Sequence, residues 1–159
     1  MTCSSKSTPM RPMTPRPQFD WPRASADHGV EVFEQPVPRD QFDALWEVKK
    51  HSPIKIEADQ SVRTVADAQM VIKNRMVDSI NTGIPKVGSI GEVRRIAELC
   101  ELNGIRCALS NTAGSMVGDA AAVHLAASTP GISPLCELRR VRSDHRRSIL
   151  RTVGGERRD

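Results

Sequence analysis

The chain has 159 residues, enough for one domain with a moderate core, but only 38% are hydrophobic and 3% aromatic, with no Tyr. Its net charge of +4 sits in the last 23 residues, where eight Arg face four acids, while the preceding 136 residues carry 15 basic and 15 acidic groups. A charge-balanced domain with a basic tail makes nucleic-acid binding by the domain an unsupported reading, and no apolar run approaches the length of a membrane span.

Residues 1–28 hold Pro9, Pro12, Pro15, Pro17 and Pro22 among Ser, Thr, Met and Arg. Proline fixes φ and removes a donor, and the stretch has too few apolar residues for a core, so it is expected to be a disordered or polyproline-like leader. It has no signal-peptide hydrophobic region. From Gly29 the pattern changes. The apolar run 30–33 predicts a strand closed by Glu34, and 41–51 a helix with Phe42, Leu45, Trp46 and Val48 apolar. A second strand is expected over 54–57, ending near Asp59, and a helix over 65–74 through Val65, Ala68, Val71 and Ile72. A third strand over 77–81 and a helix over 89–103 follow, the latter ended by Gly104. A fourth strand is expected over 105–109 and an Ala-rich helix over 115–128, before Pro130.

Four βα units in series predict an α/β fold with a parallel sheet, either half of a (β/α) barrel or a small open sheet. The domain is expected to span 29–132, with an Arg-rich tail over 133–159 that reads as a solvated helix or a disordered segment. The four cysteines (Cys3, Cys100, Cys107, Cys136) form no C-x-x-C pair and no zinc spacing. Cys100 and Cys107 fall in core positions, so both are expected as reduced thiols in a cytoplasmic protein.

Glu34 and Asp59 each close a strand, 25 positions apart, about one βα unit. Ligands gather at the C-terminal ends of parallel strands, so adjacent strands would aim both carboxylates at one point. The spacing alone leaves two unrelated acids in solvated loops equally open. His124 lies in the Ala-rich helix and reads as packed or surface; His28 and His51 flank strands at the wrong end, and His145 is in the tail.

The segments GVEVFEQP (29–36), IEADQSV (56–62), VDSIN (77–81), IPKVGSIGEVRRIA (84–97) and GDAAAVHLAA (118–127) resemble the enolase superfamily, in its mandelate racemase / muconate-lactonizing branch. The resemblance covers residues 28–132. It implies a partial barrel domain from a two-domain, Mg²⁺-dependent racemase, epimerase, cycloisomerase or dehydratase that removes a proton α to a carboxylate. It implies a small carboxylate substrate, with Glu34 and Asp59 as the second and third metal ligands; hard oxygen ligands suit Mg²⁺. Three departures accompany it. The strand expected to carry the first ligand falls in the Pro-rich leader. The catalytic-lysine column falls on Gly83, leaving Lys86, a further lysine of the motif, as the remaining candidate. A Glu common after the seventh strand is replaced at Gly114, and the eighth strand is missing.

With two carboxylates, Mg²⁺ binding is expected to be weak. A half barrel, with its interior face rich in Val, Ile and Ala and two open sheet edges, is expected to self-associate or form a homo-oligomer. The chain therefore reads as a truncated, impaired member of the family. The alternative is a non-catalytic interaction module or remnant whose edges or basic tail bind partners.

Overall fold

The computed structural model describes residues 17–110 and 115–133. Ten elements follow in order: α1 (Pro17–Asp27), β1 (Val32–Glu34), α2 (Phe42–His51), β2 (Lys55–Ala58), α3 (Val65–Lys73), β3 (Ser79–Thr82), α4 (Ile84–Val87), α5 (Ile90–Leu102), β4 (Arg106–Leu109) and α6 (Met116–Ser128). The strands form one all-parallel sheet in the order β1-β2-β3-β4. Each strand pairs with the next in sequence, with a helix between. A doubly wound sheet would reverse its strand order at a switch point. Unbroken order is that of an arc of a (β/α) barrel, and the expected partial barrel is what the chain builds.

Local chemistry sets the helix ends. Thr64 and Asp67 form a capping box on α3: Thr64 Oγ1 accepts from Asp67 N at 3.1 Å, and Asp67 Oδ2 accepts from Thr64 N at 2.9 Å. Ser89 and Ser115 cap α5 and α6 through bonds from Glu92 N and Gly118 N. After α5 the chain turns at Gly104 with φ +66°, a conformation in which a side chain would be strained.

The two faces of the sheet are chemically distinct. Ile56, Ala58, Ile80, Cys107 and Leu109 pack with Leu45 and Val48 of α2, Val71 of α3 and Val93, Ile96 and Cys100 of α5 in one apolar core. The alternate residues Glu57, Ser79, Asn81 and Ala108 lie on the other face and are also buried. The interior face was expected to be apolar and partly exposed. Its central positions are instead polar and covered, because the Val, Ile and Ala of these strands fall mostly at the helix-facing parity. Cys100 and Cys107 are free and buried, as expected.

Three expectations change. Residues 17–27, read as part of an unstructured leader, form α1. Pro17 stands at the first helical position, where its missing N–H costs nothing, and Pro22 is fully buried in a helix that packs on α2. The missing eighth strand has a trace: Ile132 makes a parallel bridge to Cys107, and Ser133 N donates to Cys107 O at 2.7 Å, bringing the chain after α6 alongside β4. The one-turn helix α4 was not expected at all. The rest of the leader, Gly114, His145, Cys3, Cys136 and nearly all of the Arg-rich tail lie outside the described residues. Among the described residues no helix is long and apolar enough to cross a membrane.

Candidate functional site

β1 ends at Glu34, and β2 runs out at Ala58, one residue before Asp59. Both acids therefore stand at the C-terminal ends of neighbouring parallel strands, as their spacing predicted. The loop carrying Asp59 is fixed by a residue the sequence did not single out. Gln35 adopts φ +42° just after β1, and its Oε1 accepts from Asp59 N at 2.9 Å and Ser61 N at 3.1 Å. Its Nε2 donates to Ser61 Oγ at 2.8 Å and Val37 O at 2.9 Å. Three of these bonds hold the turn after β2 against the turn after β1, and the fourth, to Val37 O, braces the turn after β1 itself. A left-handed backbone at a non-glycine residue is a strained state that surrounding contacts must support.

Lys86 points into the site. Its Nζ donates to Asp59 Oδ1 at 2.5 Å, to Asp59 O at 3.0 Å and to Asn81 O. An ammonium has three hydrogens, and all three are committed. Burial pushes its pKa below the usual 10.5, opposed by the hydrogen bond and charge of Asp59 and by the charge of Glu34. The other Asp59 carboxylate oxygen, Oδ2, accepts from Gln60 Nε2 at 2.8 Å. Glu34 meets Asn81, whose Nδ2 donates to Glu34 Oε1 at 3.2 Å. The two acids thus share one neighbourhood: Lys86 bonds to Asp59, and the charge of Glu34 also acts on it.

Gly83 follows β3 with an extended backbone, φ −173°, that any residue can adopt. What requires glycine is proximity: a Cβ there would lie 2.4 Å from the carbonyl oxygen of Ser110. A cleft of about 230 Å³ opens at this point, lined by Asp59, Gln60, Arg63, Gly83, Lys86 and Ser110 among others. A larger cleft of about 650 Å³ lies at the opposite ends of β3 and β4, but its charges serve the fold. There Lys49 pairs with Asp78 at 3.0 Å, and Lys50 lies 5.0 Å from the Trp46 ring centroid. His51 bonds its own helix at Glu47 O, and His28 and His124 are exposed, so none of these histidines enters the site.

The oxygen-only chemistry of Glu34 and Asp59 suits a hard cation, but their arrangement does not fit a complete Mg²⁺ centre. Both Asp59 carboxylate oxygens accept hydrogen bonds, one from a cation already built into the chain. Among the described residues no three His, Cys, Asp or Glu side chains gather as a metal site.

Fold and strand-end acids together define an arc of an α/β barrel with two carboxylates at the C-terminal ends of its strands. Residues 10–156 match the family described as enolase C-terminal domain-like, and the chain belongs to that family, in the mandelate racemase / muconate-lactonizing branch of the enolase superfamily. It is 33% identical over 118 residues to the chloromuconate cycloisomerase CbnB of Cupriavidus necator, covering 74% of this chain and 32% of the relative. It is 36% identical over 121 residues to the hydrophobic dipeptide epimerase of Enterococcus faecalis, covering 76% and 34%. The solved dipeptide epimerase of that organism, complexed with Mg and the dipeptide L-Leu-L-Tyr, superimposes with a TM-score of 0.71 at 32% identity, over 81% of this chain and 36% of that one. The L-Ala-D/L-Glu epimerase of Bacillus subtilis gives 0.70 at 31%, over 76% and 33%. The chain spans about a third of the length of these relatives.

Proposed function

We propose that this chain forms an arc of the catalytic barrel of an isomerase acting at the carbon α to a carboxylate, and that the arc itself is impaired in proton abstraction. The observation that carries this reading is the strand-end constellation of Glu34, Asp59, Asn81 and Lys86 in a chain of this family. The substrate class is a small carboxylate, as the names of the relatives suggest, whether they act as cycloisomerases or epimerases.

An α-proton is too weakly acidic for a side chain to remove unless the developing charge is met by a cation, and that is what Mg²⁺ supplies in such enzymes. Glu34 and Asp59 are the metal positions by family resemblance. Here Lys86 holds Asp59, so any Mg²⁺ affinity there is weak. Gly83 presents no base, and Lys86 cannot serve as one while its three hydrogens are donated. What the site does as folded is hold an ammonium on Asp59, within the field of Glu34, beside a small cleft. Among the described residues β1 pairs on one side only, and this open edge supports self-association or a homo-oligomer. The buried thiols of Cys100 and Cys107 suit a reducing, cytoplasmic setting.

The test is calorimetric titration of Lys86→Met with Mg²⁺. If Lys86 occupies the family's metal position, removing the ammonium tightens binding, and the gain disappears in the Lys86→Met, Asp59→Asn double variant. Unchanged affinity in Lys86→Met would remove Asp59 from the set of metal positions.

A further inference from the structure

Helices α3 and α5 end in the same turn. Past α3, Arg75 N donates to Ile72 O at 3.0 Å and Met76 N to Val71 O at 2.9 Å. Past α5, Gly104 N donates to Glu101 O at 3.1 Å and Ile105 N to Cys100 O at 2.9 Å. This pair of bonds closes a helix through one residue in the left-handed region, and glycine usually occupies it because it has no Cβ to strain. Gly104 follows that rule at φ +66°, whereas Arg75 adopts φ +52° with a full side chain. A left-handed backbone at a residue other than glycine, asparagine or aspartate is costly and needs a reason.

The fold supplies none. Among the described residues no carboxylate pairs with Arg75, and its guanidinium makes no hydrogen bond. The C-terminal end of α3 already has Lys73 in its last turn to answer the helix dipole. Arg75 and Gly104 both line the cleft of about 650 Å³ at the opposite end of the sheet from Asp59. Lys49 and Lys50 are the charges that serve the fold there. Lys49 is neutralised by Asp78, and Lys50 leans on the Trp46 ring with no carboxylate paired to it among the described residues. Arg75 is a third cation, so two positive charges in the cleft stand without a counterion. Ile72, Val77 and Ile105 give it an apolar wall, and Trp46, 40% exposed, lines it as well.

We propose that this cleft binds a small oxyanion with an apolar body, an aryl phosphate or aryl carboxylate. The guanidinium fork of Arg75 takes two of its oxygens and Lys50 adds charge. The aryl ring packs against Trp46 and the apolar wall. Apolar walls with a few convergent polar groups, in a volume of this size, are what small-molecule sites present. The site lies away from Glu34, Asp59 and Lys86, and it stands whether or not the catalytic reading holds.

The experiment titrates the full chain with phenyl phosphate, benzoate and inorganic phosphate, followed by the indole N–H signal of Trp46 in ¹⁵N–¹H NMR spectra. Trp46→Phe assigns that signal against Trp21. One exposed fork and one ring contact predict a Kd of about 10⁻³ M for the tighter aryl probe, which assigns the anion. Inorganic phosphate, lacking the apolar body, should bind about tenfold more weakly. Arg75→Gly should weaken binding about tenfold or more with no fall in the urea midpoint, since glycine suits this turn as it does at position 104. Lys73→Met removes a charge from the same helix but outside the cleft, and should leave binding within about twofold. Absence of a shift with either aryl probe at about 10 mM overturns the site. So does equal binding by Arg75→Gly and the native chain, a loss in Lys73→Met as large as in Arg75→Gly, or inorganic phosphate binding as tightly as the aryl probes. A lowered midpoint in Arg75→Gly would give Arg75 a part in the fold, and that also overturns it.

Discussion

Replacing Gly83 by alanine tests whether the lysine column of the family is physically closed in this chain. The extended φ of −173° imposes no strain on a side chain, so the effect comes from space alone. A Cβ would sit 2.4 Å from Ser110 O, about 1 Å inside the 3.4 Å at which ordinary contact begins. The obstacle is backbone and cannot swing away. Overpacking of this kind costs about 1–3 kcal/mol. Parting the ends of β3 and β4 would relieve it only by weakening the 2.8 Å bond from Ser110 N to Thr82 O, worth about 0.5–1.5 kcal/mol. Lower entropy of the unfolded chain returns about 0.4–1 kcal/mol. The net expectation for Gly83→Ala is a loss of about 1–3 kcal/mol, read as a lower midpoint at unchanged slope in urea unfolding followed by circular dichroism. A midpoint equal to or above that of the native chain would mean that the strand ends yield and that a lysine could be restored there, so the column would not be closed.

Other perturbations probe the Lys86 pair, the helix caps and the core separately. Lys86→Met leaves Asp59 without its main donor and should cost about 1–3 kcal/mol at neutral pH, below the figure for fully buried pairs because both side chains keep some exposure. Because the folded pKa of Lys86 lies below its usual 10.5, the unfolded chain binds the proton more tightly. Stability should therefore rise with pH in the window just below 10.5, and Lys86→Met should abolish that slope in urea titrations at stepped pH. Thr64→Ala removes one half of the capping box and should cost about 1 kcal/mol in the same assay, while Thr64→Ser should cost little. Ile96→Ala opens a cavity beneath α5 and should cost about 2–5 kcal/mol; a smaller loss would mean that the core relaxes around it.

Periodicity located all four strands and the helices between them because their apolar residues repeat at spacings that burial enforces. It erred where packing decides instead. Pro17 and Pro22 argue against a helix by propensity, but Pro17 falls where a helix tolerates it and Pro22 is buried in α1. Helix α4 is a single turn ending at Gly88, too short to leave a periodic signal. The two strand-end acids were legible from spacing. Lys86 was visible as a residue, but not its direction, since that depends on α4. Gln35 and Asn81 were missed because their roles come from contacts across strands.

In the proposed reading, this chain carries the fold of a proton-abstracting family with the base column closed at Gly83 and Lys86 locked as a donor. The most direct test of that reading is proton NMR of dipeptide and muconate substrates in D₂O, with the full chain and Mg²⁺ present. No loss of the α-proton signal beyond that in buffer alone is expected. Exchange catalysed by the native chain and lost in Lys86→Met would contradict it and make Lys86 the base.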